Sequence, residues 1–198
     1  MSVIGRMIII SGPSGVGKGT VIKELQKLDE NYALSVSVTS RSPRESEVEG
    51  IHYFFKSRPE FKKMIDDGLL MEWDIYLENY YGSSESYVRE LLSEGKDVLF
   101  DITIKGAFEL KKKYSESILV FLIPPSFAEL KRRLEMRGTE SGKVIEKRLA
   151  EAKTEMSFIS CFDYCVINDD VVISAEMIKA IVLAEKCKVK KNFFDIKF

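Results

Sequence analysis

The stretch from Ser11 to Thr20 has the residue types and the spacing of a loop that binds phosphate groups. It reads S-G-P-S-G-V-G-K-G-T. Glycines let the backbone turn tightly and direct successive N–H groups inward, and the lysine adds a mobile cation for the outer phosphates. A glycine-rich turn without a ligand is the alternative, which the spacing and the lysine disfavour. We therefore predict that the phosphates of a nucleotide are bound by Gly12, Pro13, Ser14, Gly15, Val16, Gly17, Lys18, Gly19 and Thr20.

One position of this loop departs from the strict pattern G-x-x-x-x-G-K-[ST]. Gly19 follows the lysine, and the hydroxyl arrives one residue later, at Thr20. In the strict pattern this hydroxyl holds Mg²⁺, so Thr20 is the candidate magnesium ligand, directly or through water. The order Gly-Lys-Gly-Thr resembles a variant found among nucleoside monophosphate kinases, which points to small-molecule phosphoryl transfer.

Two arginines further along the chain are placed to bind a second phosphate. Arg41 and Arg44 lie on either side of Pro43, which stiffens the loop, and two such guanidinium groups can clamp one phosphate. Tyr53 and Tyr81 are candidate phenol donors. Solvated surface charge for the arginines and core packing for the tyrosines remain the alternatives.

Another group of arginines surrounds a candidate lid. Arg133 and Arg137 lie four residues apart and share a helix face, and Arg148 lies on the next predicted helix. The segment between them, G-T-E-S-G, is short, polar and bounded by glycines, as a closing lid would be. A solvated basic helix face is the alternative. Together with a phosphate-binding loop, the arginines favour a lid over residues 137–147.

The composition limits the classes of function. The chain has 198 residues, 45% of them hydrophobic, and a formal net charge of −1, so it can form one core and has no excess charge that favours nucleic acid. No apolar run reaches the roughly 20 residues of a membrane span, and the amino terminus resembles a first strand more than a signal peptide. Three cysteines without a C-x-x-C pair and one histidine favour reduced thiols over a zinc site. We expect a cytoplasmic monomer or homodimer without nucleic-acid or membrane partners.

The hydrophobic pattern predicts a scaffold for these groups. Buried-strand patterns occur at 7–10, 97–102, 117–122 and 165–167, and helical patterns at about 104–113, 126–136, 142–156 and 174–187. This alternation is typical of an α/β, doubly wound parallel sheet of the P-loop NTPase type, whose ligands collect at the carboxyl ends of the strands. Residues 37–88 combine short strands with a helix that opens on a capping box at Ser57. We predict a core of residues 1–36 and 89–198 with a small α+β insertion at 37–88.

Several motifs in a fixed order resemble the guanylate kinase family. They are S-V-S-V-T-S-R-S-P-R, E-V-E-G-I-H-Y-F-F, M-E-W, N-Y-Y-G-S, F-D-I, R-L-E-M-R-G-T-E-S, E-K-R-L and V-I-N-D-D, between about Met7 and Asp170. The resemblance implies an enzyme with a core, a GMP-binding insertion and an ATP lid. It also implies Mg²⁺-dependent in-line transfer of the γ-phosphoryl group from ATP to GMP, giving ADP and GDP, in purine nucleotide metabolism and GMP recycling.

The resemblance further implies roles for individual residues. Ser37 and Glu72 would read the guanine base, and the chemistry agrees, because one carboxylate can accept guanine N1–H and N2–H together. The pocket for the GMP phosphate would be formed by Arg41, Arg44, Tyr53, Tyr81, Ser83 and Asp101. Charge on the transferred group would be neutralised by Lys18, Arg137 and Arg148, with Arg133 and Asn168 near ATP.

One strand end departs from the family pattern. It reads D-I-T-I-K-G here and commonly D-x-D-x-Q-G in relatives, so Thr103 stands in place of the second acid and Lys105 in place of the glutamine. Loss of that carboxylate could weaken magnesium placement or a contact to GMP; alternatively, Asp101 and water suffice. Two other functions stay open. A guanylate kinase-like binding module would not respond to ATP, and a kinase for another nucleoside monophosphate is disfavoured by Ser37 and Glu72.

Overall fold

The structure is a computed structural model that describes residues 5–76, 78–136 and 142–189. Its strands are β1 (Met7–Ser11), β2 (Tyr32–Leu34), β3 (Ser37–Thr39), β4 (Phe54–Phe55), β5 (Leu70–Tyr76), β6 (Asn79–Ser84), β7 (Asp97–Asp101), β8 (Ile118–Ile123) and β9 (Tyr164–Ile167). Its α-helices are α1 (Lys18–Leu28), α2 (Arg58–Asp66), α3 (Glu85–Ser93), α4 (Ile104–Lys113), α5 (Phe127–Met136), α6 (Gly142–Met156) and α7 (Val171–Lys186).

Five strands form a parallel sheet in the order β2-β7-β1-β8-β9. At its centre, Ile9 of β1 lies beside Phe100 of β7 on one side and Leu119 of β8 on the other. All side chains of β1 are buried, because helices cover both faces of the sheet. The predicted parallel sheet is confirmed, and the short strand β2, which the hydrophobic pattern did not indicate, forms one edge.

Alternation along β1 supplies two hydrophobic clusters, one on each face of this sheet. Ile8 and Ile10 join the cluster that α1 and α7 cover, where they pack with Ile178. Ile9 joins the opposite cluster with Leu110 of α4. Helices on both faces confirm the doubly wound α/β architecture.

A second, mixed sheet has the order β4-β3-β6-β5. Its helix α2 opens on the predicted capping box, in which the N–H of Ser57 donates to Glu60 Oε2 at 2.7 Å and the N–H of Glu60 donates to the Ser57 hydroxyl. Phe61 of α2 packs with Val38 and Leu70 in a small core of its own. Residues of this unit line a cleft together with Asp101 of β7 and with the glycine-rich loop.

One element boundary differs by more than one residue from the predicted one. Helix α7 begins at Val171 rather than Ser174, because the side chain of Asp170 accepts a backbone N–H of the first turn and caps the helix there. Within the insertion, strand β4 begins only at Phe54, since His52 lies in a turn and its Nδ1 accepts a backbone N–H.

The predicted lid is only partly described. Residues 137–141 lie outside the described residues, and the remainder of 137–147 belongs to α6. Helices α5 and α6 pack together through Leu130, Leu134, Ile145 and Ala152. In the described part of the chain, no helix is both long enough and apolar enough to cross a membrane.

Candidate active site

The glycine-rich loop connects β1 to α1 at the carboxyl edge of the parallel sheet. Gly12, Gly15 and Gly17 have φ angles of 142°, 90° and 102°, values that L side chains rarely adopt. A Cβ on Gly12 would also lie 2.2 Å from the carbonyl oxygen of Leu122 in β8. The loop keeps this path only with glycine at these positions.

The loop presents the amino terminus of α1 to the cleft. Gly17 is the N-cap, and no side chain among the described residues caps this end of the helix. The N–H of Val16 donates to the carbonyl of Pro13 at 3.1 Å, and the Val16 side chain is buried in the core. Gly19 and Thr20 are exposed in the first turn. A helix amino terminus of this kind favours a bound anion.

Lys18 lies between the loop and the end of β7. Its Nζ donates to the carbonyl oxygen of Gly12 at 3.0 Å and lies 4.0 Å from Asp101 Oδ1. Surrounding protein raises the pKa of Asp101, and the positive charge of Lys18 acts against that rise. The two side chains thus place one cation and one carboxylate at the floor of the cleft.

Helix α6 contacts the loop through Arg148 and Glu155. The Arg148 guanidinium donates to the hydroxyl of Ser14, and the N–H of Ser14 donates to Glu155 Oε2 at 3.4 Å. Burial raises the pKa of Glu155. Arg148 therefore lies beside the glycine-rich loop, and its predicted role toward the transferred group stays a prediction; Arg137 lies outside the described residues.

Arg133 and Asn168 support the loop from behind. Arg133 donates through Nη1 to the carbonyl of Val16 at 3.2 Å and through Nη2 to that of Asn168 at 3.0 Å. Asn168 Nδ2 donates to the same Val16 carbonyl at 2.8 Å and is itself buried. Both side chains therefore position the loop, a role that sequence analysis did not anticipate.

The insertion contributes Arg41, which is already paired with a carboxylate. Its Nη1 and Nη2 donate to the two carboxylate oxygens of Glu47 at 2.9 and 2.7 Å. The hydrogen bonds with Arg41 lower the pKa of Glu47 to about 2 and raise that of Arg41. Glu47 also accepts the backbone N–H of Arg44 at 2.8 Å, so it fixes the path between the two arginines that were predicted to bind phosphate.

Tyr53 and Tyr81 form the wall beside Arg41. Their ring centroids are 6.0 Å apart in an edge-on arrangement, and the Arg41 guanidinium lies 5.4 Å from the Tyr53 ring centroid. Burial raises the pKa of the Tyr53 phenol, so the hydroxyl keeps its proton. The predicted grouping of these side chains is present, and the arginine stacks on the ring.

Glu72 of β5 is a buried carboxylate that lines the same cleft as Lys18. It is 4% exposed, and the hydroxyl of Ser83 donates to its Oε1 at 2.7 Å. Burial raises the pKa of Glu72 to about 7, although the hydrogen bond from Ser83 favours the ionised form. Ser37 lines the same cleft. Ser83 is fully buried, and its hydroxyl orients Glu72, a contact that sequence analysis did not anticipate; its predicted contact with GMP stays a prediction.

Helix α4 approaches Glu72 closely at Gly106. A Cβ on Gly106 would lie 2.6 Å from Glu72 Oε2. The start of this helix is capped by Thr103, whose hydroxyl accepts the N–H of Gly106 at 3.2 Å. Glycine at this position leaves room for the carboxylate.

Asp74 is a cleft residue that sequence analysis missed. Strand β5 directs Glu72 and Asp74 to one side, two residues apart, and both line the cleft. Thr103 donates to Asp74 Oδ2 at 2.9 Å, and Lys105 Nζ donates to Oδ1 at 2.9 Å. The alternation from Glu72 along a predicted strand was the signal that could have identified it.

These walls enclose a cleft of about 310 Å³ between the loop and the insertion. It is lined by many of the residues that were predicted to bind ATP or GMP: Gly12, Ser14, Lys18, Ser37, Arg41, Arg44, Tyr53, Glu72, Tyr81 and Asp101. A separate cleft of about 530 Å³ lies on the other side of the loop and contains the predicted ATP-side residues Gly15, Gly17, Thr20, Arg133 and Asn168.

The oxygen atoms near the loop suit a magnesium ion that is held mainly by a nucleotide. The described residues contain no cluster of three His, Cys, Asp or Glu side chains that would hold a metal alone. Asp101 Oδ2 would lie 3.7 Å from a Cβ at position 19, so a hard carboxylate oxygen faces the loop where the usual hydroxyl is missing. Mg²⁺ commonly takes one or two such protein ligands together with phosphate oxygens and water.

Comparison with known proteins gives one consistent result. The family model described as Guanylate kinase matches residues 4–185. A guanylate kinase of Halalkalibacterium halodurans is 48% identical over 184 residues, covering 93% of this chain and 90% of the relative. One from Bacillus cereus is 50% identical over 185 residues, covering 93% and 90%. The crystal structure of guanylate kinase from Anaplasma phagocytophilum has a TM-score of 0.76 at 31% identity and covers 94% of this chain and 89% of that chain. From the match over nearly its whole length, the chain belongs to the guanylate kinase family.

Proposed function

We propose that the protein transfers the γ-phosphoryl group of ATP to GMP, giving ADP and GDP. One observation carries this assignment beyond family membership. A single cleft is lined both by Lys18 of the glycine-rich loop and by the buried carboxylate of Glu72 in the insertion. A nucleoside monophosphate bound in this cleft would have its base at Glu72 and its phosphate toward the loop.

Glu72 and Ser37 are the proposed readers of guanine. The ionised Glu72 carboxylate accepts guanine N1–H and one N2–H, and the Ser37 hydroxyl donates to O6. Adenine has no such pair of adjacent donors and would leave a buried carboxylate without a partner, which strongly disfavours AMP. The hydrogen bond from Ser83 keeps Glu72 in position for this contact.

The GMP phosphate belongs with Arg41, Arg44, Tyr53 and Tyr81. Two guanidinium groups and two phenols provide charge-assisted and neutral donors around one anion. Glu47 holds Arg41 before the substrate arrives, so less side-chain freedom is lost on binding. Asp101 completes this pocket at the end of β7.

Lys18, Arg137 and Arg148 are proposed to stabilise charge on the transferred group. Such a reaction needs no protein nucleophile, because its transition state mainly gathers charge on phosphoryl oxygens. Arg148 lies at Ser14 of the loop, which supports its place beside the phosphates of ATP. Arg133 and Asn168 act on ATP by holding the loop, and their cleft is the candidate site for the rest of that nucleotide.

Mg²⁺ is the proposed cofactor, held by the nucleotide phosphates with Asp101 and Thr20 as candidate protein ligands, directly or through water. When bound, the ion neutralises negative charge on the β- and γ-phosphates. Closure of the insertion, residues 37–88, and of the lid, residues 137–147, over the core would exclude water from the reacting groups. We place the reaction in the cytoplasm, where three exposed free cysteines, Cys161, Cys165 and Cys187, remain reduced.

The test is a coupled assay of ADP release with ATP, Mg²⁺ and GMP, AMP or CMP, each in turn. Turnover with GMP and not with the others is the expected result. Turnover with a different monophosphate would assign another kinase activity. No turnover with any of them, together with no stabilisation of the fold by ATP, would assign a binding module instead.

A further inference from the structure

Near Glu72 the cleft contains another carboxylate, Asp74, to which the proposed reaction assigns no role. Asp74 lies two residues beyond Glu72 on β5, lines the same cleft, and its side chain is 20% exposed. Two carboxylates that face one substrate site repel each other and are unfavourable unless a cation or a donor compensates. The negative charge of Asp74 contributes to the raised pKa of Glu72, after burial, the main cause.

The compensation comes from α4. Lys105 Nζ donates to Asp74 Oδ1 at 2.9 Å, and Thr103 donates to Oδ2 at 2.9 Å. These hydrogen bonds outweigh partial burial and lower the pKa of Asp74, so this carboxylate is ionised at neutral pH. Lys105 Nζ also lies 5.5 Å from the ring centroid of Trp73, which restricts its motion.

A count of acceptor positions shows which oxygen remains available. Oδ1 accepts both Lys105 Nζ and the backbone N–H of Ile75, at 2.9 and 2.8 Å. Oδ2 accepts the hydroxyl of Thr103. A carboxylate oxygen has two acceptor positions, so within the described residues Oδ2 keeps one for a ligand in the cleft.

The chemistry of guanine supplies a donor for that position. Its 2-amino group has two hydrogens, and the carboxylate of Glu72 uses one of them together with N1–H. The other hydrogen would be buried without an acceptor, which costs binding energy. Hypoxanthine, the base of IMP, has N1–H but lacks the amino group.

We propose that Asp74 accepts the second hydrogen of the guanine 2-amino group, so that two carboxylates on one strand distinguish GMP from IMP. Thr103 and Lys105 are positioning residues that hold Asp74 in place. The inference rests on the proposed function, because it assumes GMP at Glu72. It also gives Thr103 and Lys105, which depart from the family pattern, a joint role: an acidic group stands at position 74 and is held by the residues at positions 103 and 105.

The experiment compares GMP with IMP in the wild-type protein and in Asp74→Ala. Values of kcat/KM are measured for both substrates, and dissociation constants are measured by calorimetry in case IMP turns over too slowly. We expect Asp74→Ala to lower kcat/KM for GMP by about 10- to 100-fold and kcat/KM for IMP by less than about threefold, with matching changes in the dissociation constants. An equal loss for both substrates would indicate a structural role and overturn the inference, and so would unchanged values for both.

Two further variants test the positioning residues. Lys105→Met should reduce the preference for GMP over IMP in the same direction but by less, because Asp74 remains. Thr103→Ser keeps the hydroxyl and should retain the wild-type preference. An unchanged preference in Lys105→Met together with a lost preference in Thr103→Ser would overturn the proposed arrangement, even if Asp74→Ala failed to fold.

Asp163→Ala is the matched control, since Asp163 pairs with Lys111 at 2.8 Å outside the cleft. It should leave the ratio of GMP to IMP unchanged. Failure of the wild-type protein to phosphorylate GMP would instead refute the proposed function. Normal GMP turnover with no selective effect of Asp74→Ala refutes only this inference.

Discussion

In its proposed role Glu72 must be ionised to accept two N–H groups of guanine, yet its burial opposes ionisation. Its pKa is raised to about 7, mainly by burial, whereas Ser83 donates to the ionised form. At neutral pH the free protein therefore contains both protonation states. If GMP binds at Glu72 as proposed, it selects the ionised state, so the titration of this one side chain should be visible both in catalysis and in stability.

In catalysis, we expect kcat/KM for GMP to rise with pH until about 7 and then to level off. Glu72→Gln should lower kcat/KM by about 100-fold or more, since an amide cannot accept two N–H groups as a carboxylate does, and should abolish this rise. A pH–rate series for both proteins tests the prediction. The same rise in the variant would assign the titration to another group.

In stability, the same pKa has the opposite consequence. Between its ordinary value of 4.5 and about 7, the folded state binds more protons at Glu72 than the unfolded state, so the free energy of unfolding falls as pH rises through this window. Glu72→Gln should remove this loss. The free energy of unfolding of the variant minus that of the wild type should therefore be up to about 3 kcal/mol larger at pH 8 than at pH 5. Urea unfolding at the two pH values measures it. Glu90→Gln, at an exposed glutamate of α3, is the control and should follow wild type.

At the scale of elements, the contact between α4 and β5 sets the shape of the base pocket. Gly106 lets the helix approach Glu72, and Thr103 caps the same helix while donating to Asp74. One helix start thus holds the space for one carboxylate and the position of the other.

Gly106→Ala tests this contact. Its Cβ would lie 2.6 Å from Glu72 Oε2, so Glu72 must move, while alanine itself favours the helix by about 1 kcal/mol. We expect KM for GMP to rise about tenfold, with a change in the free energy of unfolding of less than about 1 kcal/mol and an unchanged KM for ATP. If KM for both substrates rose together, the effect would be a general distortion and not one of the base pocket.

The junction of β9 and α7 supports the phosphate-binding loop in a similar way. Asn168 donates to the Val16 carbonyl, and a Cβ on Gly17 would lie 2.6 Å from Asn168 Nδ2. The Asn168 amide therefore packs directly against the loop at Val16 and Gly17. We therefore expect any contribution of Asn168 to ATP binding to be indirect, through the loop backbone.

Asn168→Ala should raise KM for ATP about tenfold and leave KM for GMP within about twofold. It should lower the free energy of unfolding by about 0.5–1.5 kcal/mol, because the Val16 carbonyl loses one of its two donors and keeps Arg133. Steady-state kinetics and urea unfolding measure both effects. Asp170→Ala is the matched control: it removes the cap of α7 two residues away at a cost of about 1 kcal/mol. Since it does not touch the loop, a rise in KM for ATP there would contradict the argument.

At the scale of the whole molecule, two sheets meet at one cleft, and Met71 of the mixed sheet packs in a hydrophobic cluster of the parallel sheet. The parallel sheet supplies the loop, Lys18 and Asp101, and the mixed sheet supplies Arg41 and Glu72. A ligand that contacts both walls binds only the folded arrangement. It should therefore stabilise the protein against unfolding as a whole.

We expect GMP at 100 times its dissociation constant to raise the free energy of unfolding by about 2.7 kcal/mol. AMP at the same concentration should produce no shift, and Glu72→Gln should remove most of the shift with GMP. Thermal or urea unfolding with each nucleotide measures this. Equal stabilisation by AMP and GMP would show that the phosphate alone accounts for binding and that the base is not read.

Much of the fold followed from local patterns. Four buried runs, the capping box at Ser57 and the helix over Ile104–Lys113 were predicted from spacing alone, because strand burial and helix capping depend on neighbours in the chain. The short strand β2 and the start of α7 at Val171 were not. The boundaries of β2 depend on its pairing with β7, and the start of α7 depends on the cap at Asp170. The periodicity of hydrophobic residues contains neither contact.

The site divides in the same way. The sequence by itself determined the phosphate-binding loop, since a strand, glycines and a lysine in order specify the backbone that holds an anion. Only the tertiary structure decided what the distant polar residues do. Asn168 reaches Val16 across 152 positions, and Thr103 reaches Asp74 across 29. Such hydrogen bonds form when the packing of the sheets brings strand ends together. The order of residues along the chain contains neither those distances nor the acceptor positions that the hydrogen bonds leave available.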